Sequence, residues 1–425
     1  MKFRILLLWV WLPGVLMAGG PASGLLLKNP LASDRLNEPV VVTRAYYEKT
    51  FGAGEVPVLK YPDGRMIPIQ CDDLNGDGSW DELAFVVNIK ANSMLKLSVS
   101  WATRDKAMVF EKKTQTWLAK QNTDGTFTEV REAGAPVGLA GFPAQYQSEG
   151  VGWENDKMAF RVYFDCRNVK DLFGKLKPGL ILHKAGTPEL GNYHSLSDWG
   201  MDILHCGSSL GAGGLALLEG DSLYRLGSTP VYRYKKITEG PVRTIFELTY
   251  RGWEVAGSTY EATERITLWI GSYGFKSEVT VSAFTGQKEL VTGIVTTKLV
   301  AEPIRFQASP GYTAILTHGV QSLNNDVLAM AVMAPSTEVT RVARTSKVDF
   351  YKLGYQTVPE KSFSQVISDT YYLSQRIANN TPSIHYFYAF WGLEDARWKK
   401  VEGVRQYLEG EAERMGTPLM LVNSE

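Results

Sequence analysis

Across 425 residues, 45 Lys and Arg are matched by 45 Asp and Glu, giving a formal net charge of zero. That balance excludes nucleic acid and anionic membrane surfaces as main partners, because both require a net basic face; an acidic sugar needs only a few local cations. Cys71, Cys166 and Cys206 form neither a disulfide framework nor a C-x-x-C motif and are expected as core thiols, while eleven Trp and twenty Tyr suit both β-sandwich cores and sugar rings.

At the N-terminus, Lys2 and Arg4 precede an apolar run from Ile5 to Met17, and small residues follow at Ala18, Gly19 and Gly20. This pattern predicts a secretory signal peptide over 1–20 and a mature protein in the periplasm or outside the cell. The run falls short of the about 20 apolar residues that span a bilayer, and no membrane span is expected later in the chain.

The mature length favours more than one domain. Strand signals cover Glu38 to Arg44, Val56 to Tyr61, Met66 to Cys71, Leu83 to Ile89 and Leu95 to Trp101, with Pro62-Asp63-Gly64 as a turn. Residues 112 to 150 are polar and read as a connector or a loop over a site. After Ala159 to Phe164, a Gly-rich stretch from Gly186 to Gly214 is crowded with polar and aromatic groups, as functional loops are. Hairpins follow: Val231 to Thr238 with Arg243 to Tyr250, then Tyr260 to Ile270 with Lys276 to Phe284. Further strands are read at Gly293 to Val300, Thr313 to Thr317 and Val327 to Met333, a spacing that argues for a large antiparallel sandwich. One helix is predicted over Leu393 to Met415, ended by Gly416 and Pro418.

Three constellations carry chemistry. Asp73, Asn75, Asp77 and Asp81, with Gly78 at the turn, place oxygen ligands as at the start of a Ca²⁺ loop; Ala84 replaces the closing Glu of a full EF-hand. A structural Ca²⁺ is expected, against the alternative of a solvated acidic turn. Lys184, Tyr193, His194, Asp198, Trp199, Asp202 and His205 crowd the Gly-rich loop. There His194 and Tyr193 suit proton transfer, Asp198 or Asp202 would orient the imidazole, and Trp199 would stack on a sugar. Third, alternation puts Arg243, Glu247 and Thr249 on one sheet face and Thr263, Arg265, Thr267 and Trp269 on another, usually the wet side of a sheet but also a possible saccharide cleft. No zinc spacing, nucleotide-binding loop or G-x-S-x-G elbow is present, so no nucleotide cofactor is expected.

The segments Gln70 to Phe85, Tyr193 to Asp202, Ser209 to Gly214 and Tyr388 to Trp391 resemble the family of unknown function 4861 over nearly all of the mature chain. The resemblance implies a setting mainly in Bacteroidetes, often among genes for pectin and uronic-acid polysaccharide breakdown, and brings no catalytic residues with it. The C-terminal part is similar to the galactose-mutarotase-like supersandwich shared with several polysaccharide lyases, an analogy of fold that does not fix function.

The expectation is a mainly β protein: a small N-terminal β-sandwich over 25–115, then a large antiparallel β-supersandwich over 116–425 with one C-terminal helix. Its expected partner is a saccharide, and its expected reaction β-elimination on a uronate-containing glycan. His194 and Tyr193 would be base and acid, with Arg243 or Lys184 on the carboxylate; Asp198, Trp199, Asp202 and Arg265 would bind substrate. A sugar epimerase, a glycan-binding module using Trp199, Trp253 and Trp269, and a glycoside hydrolase with two carboxylates stay open.

Overall fold

The computed structural model describes residues 24–136, 145–308, 311–346 and 366–422; the signal-peptide segment lies outside them. Every named ladder among these residues is antiparallel, so the fold is mainly β, as the alternating patterns require. The largest sheet has nine strands, in the order Glu132–Gly134, Val231–Thr238, Arg243–Val255, Ser258–Trp269, Gly274–Ser282, Ser383–Trp391, Val327–Pro335, Tyr312–Val320 and Ile304–Ala308. Two five-stranded sheets share its core. One runs Gly200–Asp202, Lys170–Lys175, Met158–Tyr163, Gly150–Glu154 and Gln115–Trp117; the other is built around Ala212–Glu219, Gln287–Val295 and Thr370–Ala378.

Alternation explains the packing. Phe246, Leu248, Ile266, Phe275 and Phe387 point inward from the nine-stranded sheet and meet Trp153, Phe160 and Leu172 from the first five-stranded sheet. The Trp153 and Phe275 rings lie edge to face at 5.2 Å, an arrangement that adds to the area each buries. The Ser209 to Gly214 motif serves this packing rather than a ligand: a Cβ on Gly211 would sit 2.0 Å from the Lys170 carbonyl oxygen, and one on Gly214 2.6 Å from that of Leu210.

A separate core of Leu25, Leu27, Val40, Tyr47, Leu59, Phe85 and Leu97 holds the N-terminal four- and three-stranded sheets together. A short helix, Arg44–Phe51, was not legible as such: Thr43 caps it by accepting from the Tyr46 amide, and Tyr47 is its buried anchor. The C-terminal strand Met420–Val422 pairs with Gly24–Lys28, so the chain's end joins the N-terminal sheet. The stretch 112–150, expected as a connector or a loop over a site, contributes the strands Gln115–Trp117, Ala119–Gln121, Phe127–Glu129 and Glu132–Gly134. The C-terminal helix spans Val401–Gly416, later than expected, because Asp395 first caps a separate turn, Ala396–Lys399. None of the three cysteines is in a disulfide; Cys166 and Cys206 are buried, whereas Cys71 is exposed. In its strand the inward positions belong to Gln70 and Asp72. Among the described residues no helix is long and apolar enough to cross a membrane.

Candidate functional site

The first five-stranded sheet turns Phe160, Val162 and Leu172 to the core and Arg161, Tyr163, Asp171 and Phe173 to its other face. Register brings the charges together: Arg161 lies opposite Asp171, and Asp202 lies opposite Phe173 on the edge strand. The loop 176–199 covers this face and is anchored by Glu154, whose carboxylate accepts from the Ile181 and Leu182 amides at 2.7 Å each, from Gln115 at 2.7 Å and from Lys175 at 2.8 Å. Gln147 adds two bonds, to the carbonyls of His183 and Ala185. Ile181, Leu182, Ala185 and Trp199 fill the space beneath the loop against Ala159 and Phe173.

At one end of this cover lies a cluster of ionisable side chains. Arg161, 2 % exposed, donates to Asp171, to Asp202 at 3.3 Å, to the Tyr163 hydroxyl at 2.9 Å and to the Tyr193 hydroxyl at 3.4 Å. Above them the half-exposed His194 ring places Nδ1 3.5 Å from Asp202 Oδ2, with the Tyr193 ring 4.3 Å from its own. One guanidinium thus faces two buried carboxylates. Burial, then the Asp171 charge, pushes the Asp202 carboxyl up to about 8, so it retains its proton at neutral pH. Burial and Arg161 lower the His194 imidazole, keeping it neutral and able to accept a proton.

Of the residues expected here, Tyr193, His194 and Asp202 come together. Asp202, not Asp198, faces the imidazole; Asp198 is exposed and paired with Lys177. Lys184 pairs with Glu189 at 2.5 Å on the surface. Trp199 is 7 % exposed and packs on Phe173, so it offers no ring face to a sugar. Trp253 is 2 % exposed, its indole N–H bound to the Arg225 carbonyl, and Trp269 lies beneath the Arg243 guanidinium at 5.1 Å.

Arg243 is not part of this cluster. It is buried where the N-terminal sheet meets the long hairpin, donating to Asp72 and to Glu82 at 2.7 Å each. Gln70 completes that joint by accepting from the Val242 and Arg243 amides. Arg265 stands on the outer face of the nine-stranded sheet, bound to Glu247 at 2.7 Å. Arg161, Tyr163 and Asp171 escaped the sequence reading although a signal existed: an Arg amid the buried strand MAFRVY demands a buried anionic partner.

In the acidic loop, Asp73 accepts from the amides of Gly76 at 2.6 Å and Gly78 at 2.8 Å, and Asp81 from the Leu74 amide at 2.7 Å. Gly76 and Gly78 take φ of 83° and 86°, as the turn requires. Among the described residues, no three His, Cys, Asp or Glu side chains converge as a metal site. The Asp73 and Asp81 carboxylates accept from the loop's own backbone amides, as in an Asx-type turn.

Residues 27–421 match the family described as Domain of unknown function (DUF4861), and the chain belongs to it. Uncharacterized protein P7 of Formosa agariphila is 26% identical over 290 residues, covering 64% of this chain and 67% of that protein. Among solved structures, an α-mannosidase from Enterococcus faecalis V583 aligns with a TM-score of 0.46 and 8% identity, over 94% of this chain and 46% of that one. A glycosyl hydrolase family 38 protein from Enterococcus faecalis gives a TM-score of 0.41 and 9% identity, over 95% and 48%. The chain therefore spans about half the length of these two structures.

Proposed function

We propose that this member of the DUF4861 family is an exported carbohydrate-active enzyme that works by proton transfer, and that its reaction is β-elimination at a uronate. The observation that carries the reading is a neutral, half-exposed His194 set 3.5 Å from a buried Asp202 that keeps its proton. In the proposed step, His194 takes the proton from C5, the C4–O bond breaks, a C4–C5 double bond forms, and the Tyr193 hydroxyl protonates the leaving oxygen. Arg161 stabilises the resulting phenolate, and proton exchange between the adjacent Tyr193 and His194 resets the pair. The loop of Asp73, Asn75, Asp77 and Asp81 is not part of this step; a Ca²⁺ there would brace the N-terminal sheet.

One observation favours a second reading. Neither expected carboxylate clamp stands at the cluster: Arg243 is buried with Asp72 and Glu82, Lys184 is held by Glu189, and Arg161 is compensated by Asp171 and Asp202. A sugar epimerase or mutarotase-like reaction on an uncharged substrate needs no such clamp and would use the same acid and base. Incubation with pectic and glucuronan oligosaccharides separates the two. Absorbance from an unsaturated product, abolished in His194→Ala, supports elimination. No such product, with His194-dependent epimerisation of free sugars, replaces it with the second reading.

A further inference from the structure

Arg161 joins the His194 end of the site to a second polar group. Its Nη1 donates to the Ser148 carbonyl at 3.2 Å and to Tyr193 at 3.4 Å, and its guanidinium lies 4.5 Å from the centre of the Tyr163 ring. The Arg167 guanidinium lies 4.0 Å from the centre of that ring, and its Nη2 donates to Glu149 at 2.7 Å. The turns that carry this pair are strained. Ser148 and Glu149 take φ of 50° and 61°, and Asn168, next to Arg167, takes 39°. Left-handed backbone at consecutive residues other than glycine is costly and persists only where neighbours hold it. Here the Ser148 hydroxyl donates to the Ala185 carbonyl of the cover loop at 2.8 Å, the Phe164 amide to the Glu149 carbonyl at 3.0 Å, and the Arg167 amide to Asp165 at 2.9 Å.

One edge of the Arg167 guanidinium is taken: Nε donates to Asp165 at 3.0 Å, and Nη2 to Asp165 at 2.5 Å and to Glu149 at 2.7 Å. Among the described residues nothing accepts from Nη1, and nothing donates to Glu149 Oε1. The two side chains are 15% and 22% exposed, so these atoms can meet a ligand. A donor and an acceptor are thus left side by side, held in place by the buried Asp165 and the Tyr163 ring. Arg167 already faces two carboxylates, and a third anion gains little there. Two adjacent hydroxyls fit instead, one accepting from Nη1 and its neighbour donating to Oε1. Burial and Arg161 lower the His194 imidazole, and Asp171 and Glu149 act against them, so the Glu149 charge reaches the ring that carries the proposed chemistry.

We propose that Glu149 and Arg167 are the specificity pair of the His194 site, binding two vicinal ring hydroxyls of the sugar from which His194 takes a proton. The proposal rests on the reading of His194 as the base, and it holds for elimination and epimerisation alike. In the elimination these are the hydroxyls at C2 and C3, which the reaction leaves unchanged. A sugar substituted at those two oxygens can neither donate to Oε1 nor fit beside Nη1, so the pair excludes it.

Calorimetric titration of the full chain carrying His194→Ala tests it, since binding is then read apart from turnover. The probes are the 1,4-linked trisaccharides of galacturonate, glucuronate and glucose, each free or methylated at O2 and O3. At least one free trisaccharide should bind, and its methylated form should bind about tenfold more weakly. Adding Glu149→Ala should weaken the free form by about tenfold and bring the two forms within about twofold of each other. Damage to the fold alone would weaken both forms equally and keep their ratio. Glu149→Gln decides the matter if Glu149→Ala fails to fold: its carbonyl still accepts from Arg167, but its amide N–H₂ replaces the Oε1 acceptor, and the ratio should fall as well. No binding of any free trisaccharide, equal binding of free and methylated forms, or a ratio unchanged in the Glu149 variants would each overturn the pair. Turnover retained in His194→Ala is a separate result, which would overturn the base.

Discussion

Among the described residues, Arg161 and Arg243 are each buried between two carboxylates, and the two places do different things. Arg161 faces Asp171 and Asp202, whose side chains are 1% and 3% exposed. Arg243 faces Asp72, fully buried, and Glu82, 27% exposed. At the second place the anions have other donors: Asp72 also accepts from Gln70 at 2.7 Å and from Thr238, while Glu82 reaches water. At the first, Asp202 has long contacts with Arg161 and the Leu204 amide, both at 3.3 Å, and with His194 Nδ1 at 3.5 Å, and burial keeps this carboxyl protonated beside the exposed imidazole. The same three charges make a joint where solvent and neutral donors finish the job. They make a proton store where those are withheld.

The largest effect should come from removing each guanidinium. Arg161→Met leaves the buried Asp171 carboxylate without its counter-charge, beside a protonated Asp202, and should cost about 3–5 kcal/mol. Arg243→Met should cost less, about 2–3 kcal/mol, because Glu82 can turn to water. Urea denaturation of both variants checks the order, and equal losses would mean that exposure of one partner does not matter.

Next in size is the pH dependence of stability. The folded state raises the Asp202 carboxyl from an ordinary 3.8 to about 8, so its contribution is fully present below about pH 4 and is lost as pH rises toward 8. Asp202→Asn, which cannot ionise, should flatten stability across that window relative to wild type. A wild type whose stability is flat from pH 4 to 8 would remove the proton store and with it the difference between the two places.

His194 tests what the proton store is for. Its side chain is 58% exposed, so His194→Ala should leave stability within about 0.5 kcal/mol while abolishing turnover of the oligosaccharide that proves to be the substrate. Arg243→Met, corrected for its folded fraction, should retain turnover. Loss of turnover in both would put the buried joint back into the chemistry.

The sequence made much of this fold legible and half of the site. Alternation gave the strands read at Arg243 to Tyr250 and Tyr260 to Ile270, since one face of each is uniformly buried, and their hairpins with the strands before and after them; the pairing of these two with each other was not read. It also led to Tyr193, His194 and Asp202, which are close in the chain. Arg161 and Asp171 were missed because they meet Asp202 only through strand register, over separations that no local pattern encodes. Arg243 was misplaced for a related reason: on a strand, an Arg on the polar side looks the same whether that side faces water or a second sheet. What distinguishes them is Gln70 and Asp72, 173 and 171 residues away, which occupy the inward positions of a strand whose Cys71 faces out.

The smallest effect isolates the role of solvent in the comparison. Glu82→Gln keeps the shape of the joint and an oxygen acceptor for Arg243, and it removes a charge that water already screens. It should cost no more than about 1 kcal/mol, since Asp72 still neutralises the guanidinium. Asp171→Asn is the matched change at the other place, where the lost anion is buried and Asp202 becomes the only counter-charge of Arg161. Asp202 should then ionise at lower pH, because the carboxylate that opposed its charge is gone and Arg161 attracts it undivided. The pH window of stability loss should shift downward in Asp171→Asn and stay in place in Glu82→Gln. Titration of the Asp202 carboxyl by carbon-detected NMR in both variants reads this directly. An unmoved Asp202 in Asp171→Asn would assign its raised proton affinity to burial alone, and the two-anion geometry would no longer explain why one triad stores a proton and the other does not.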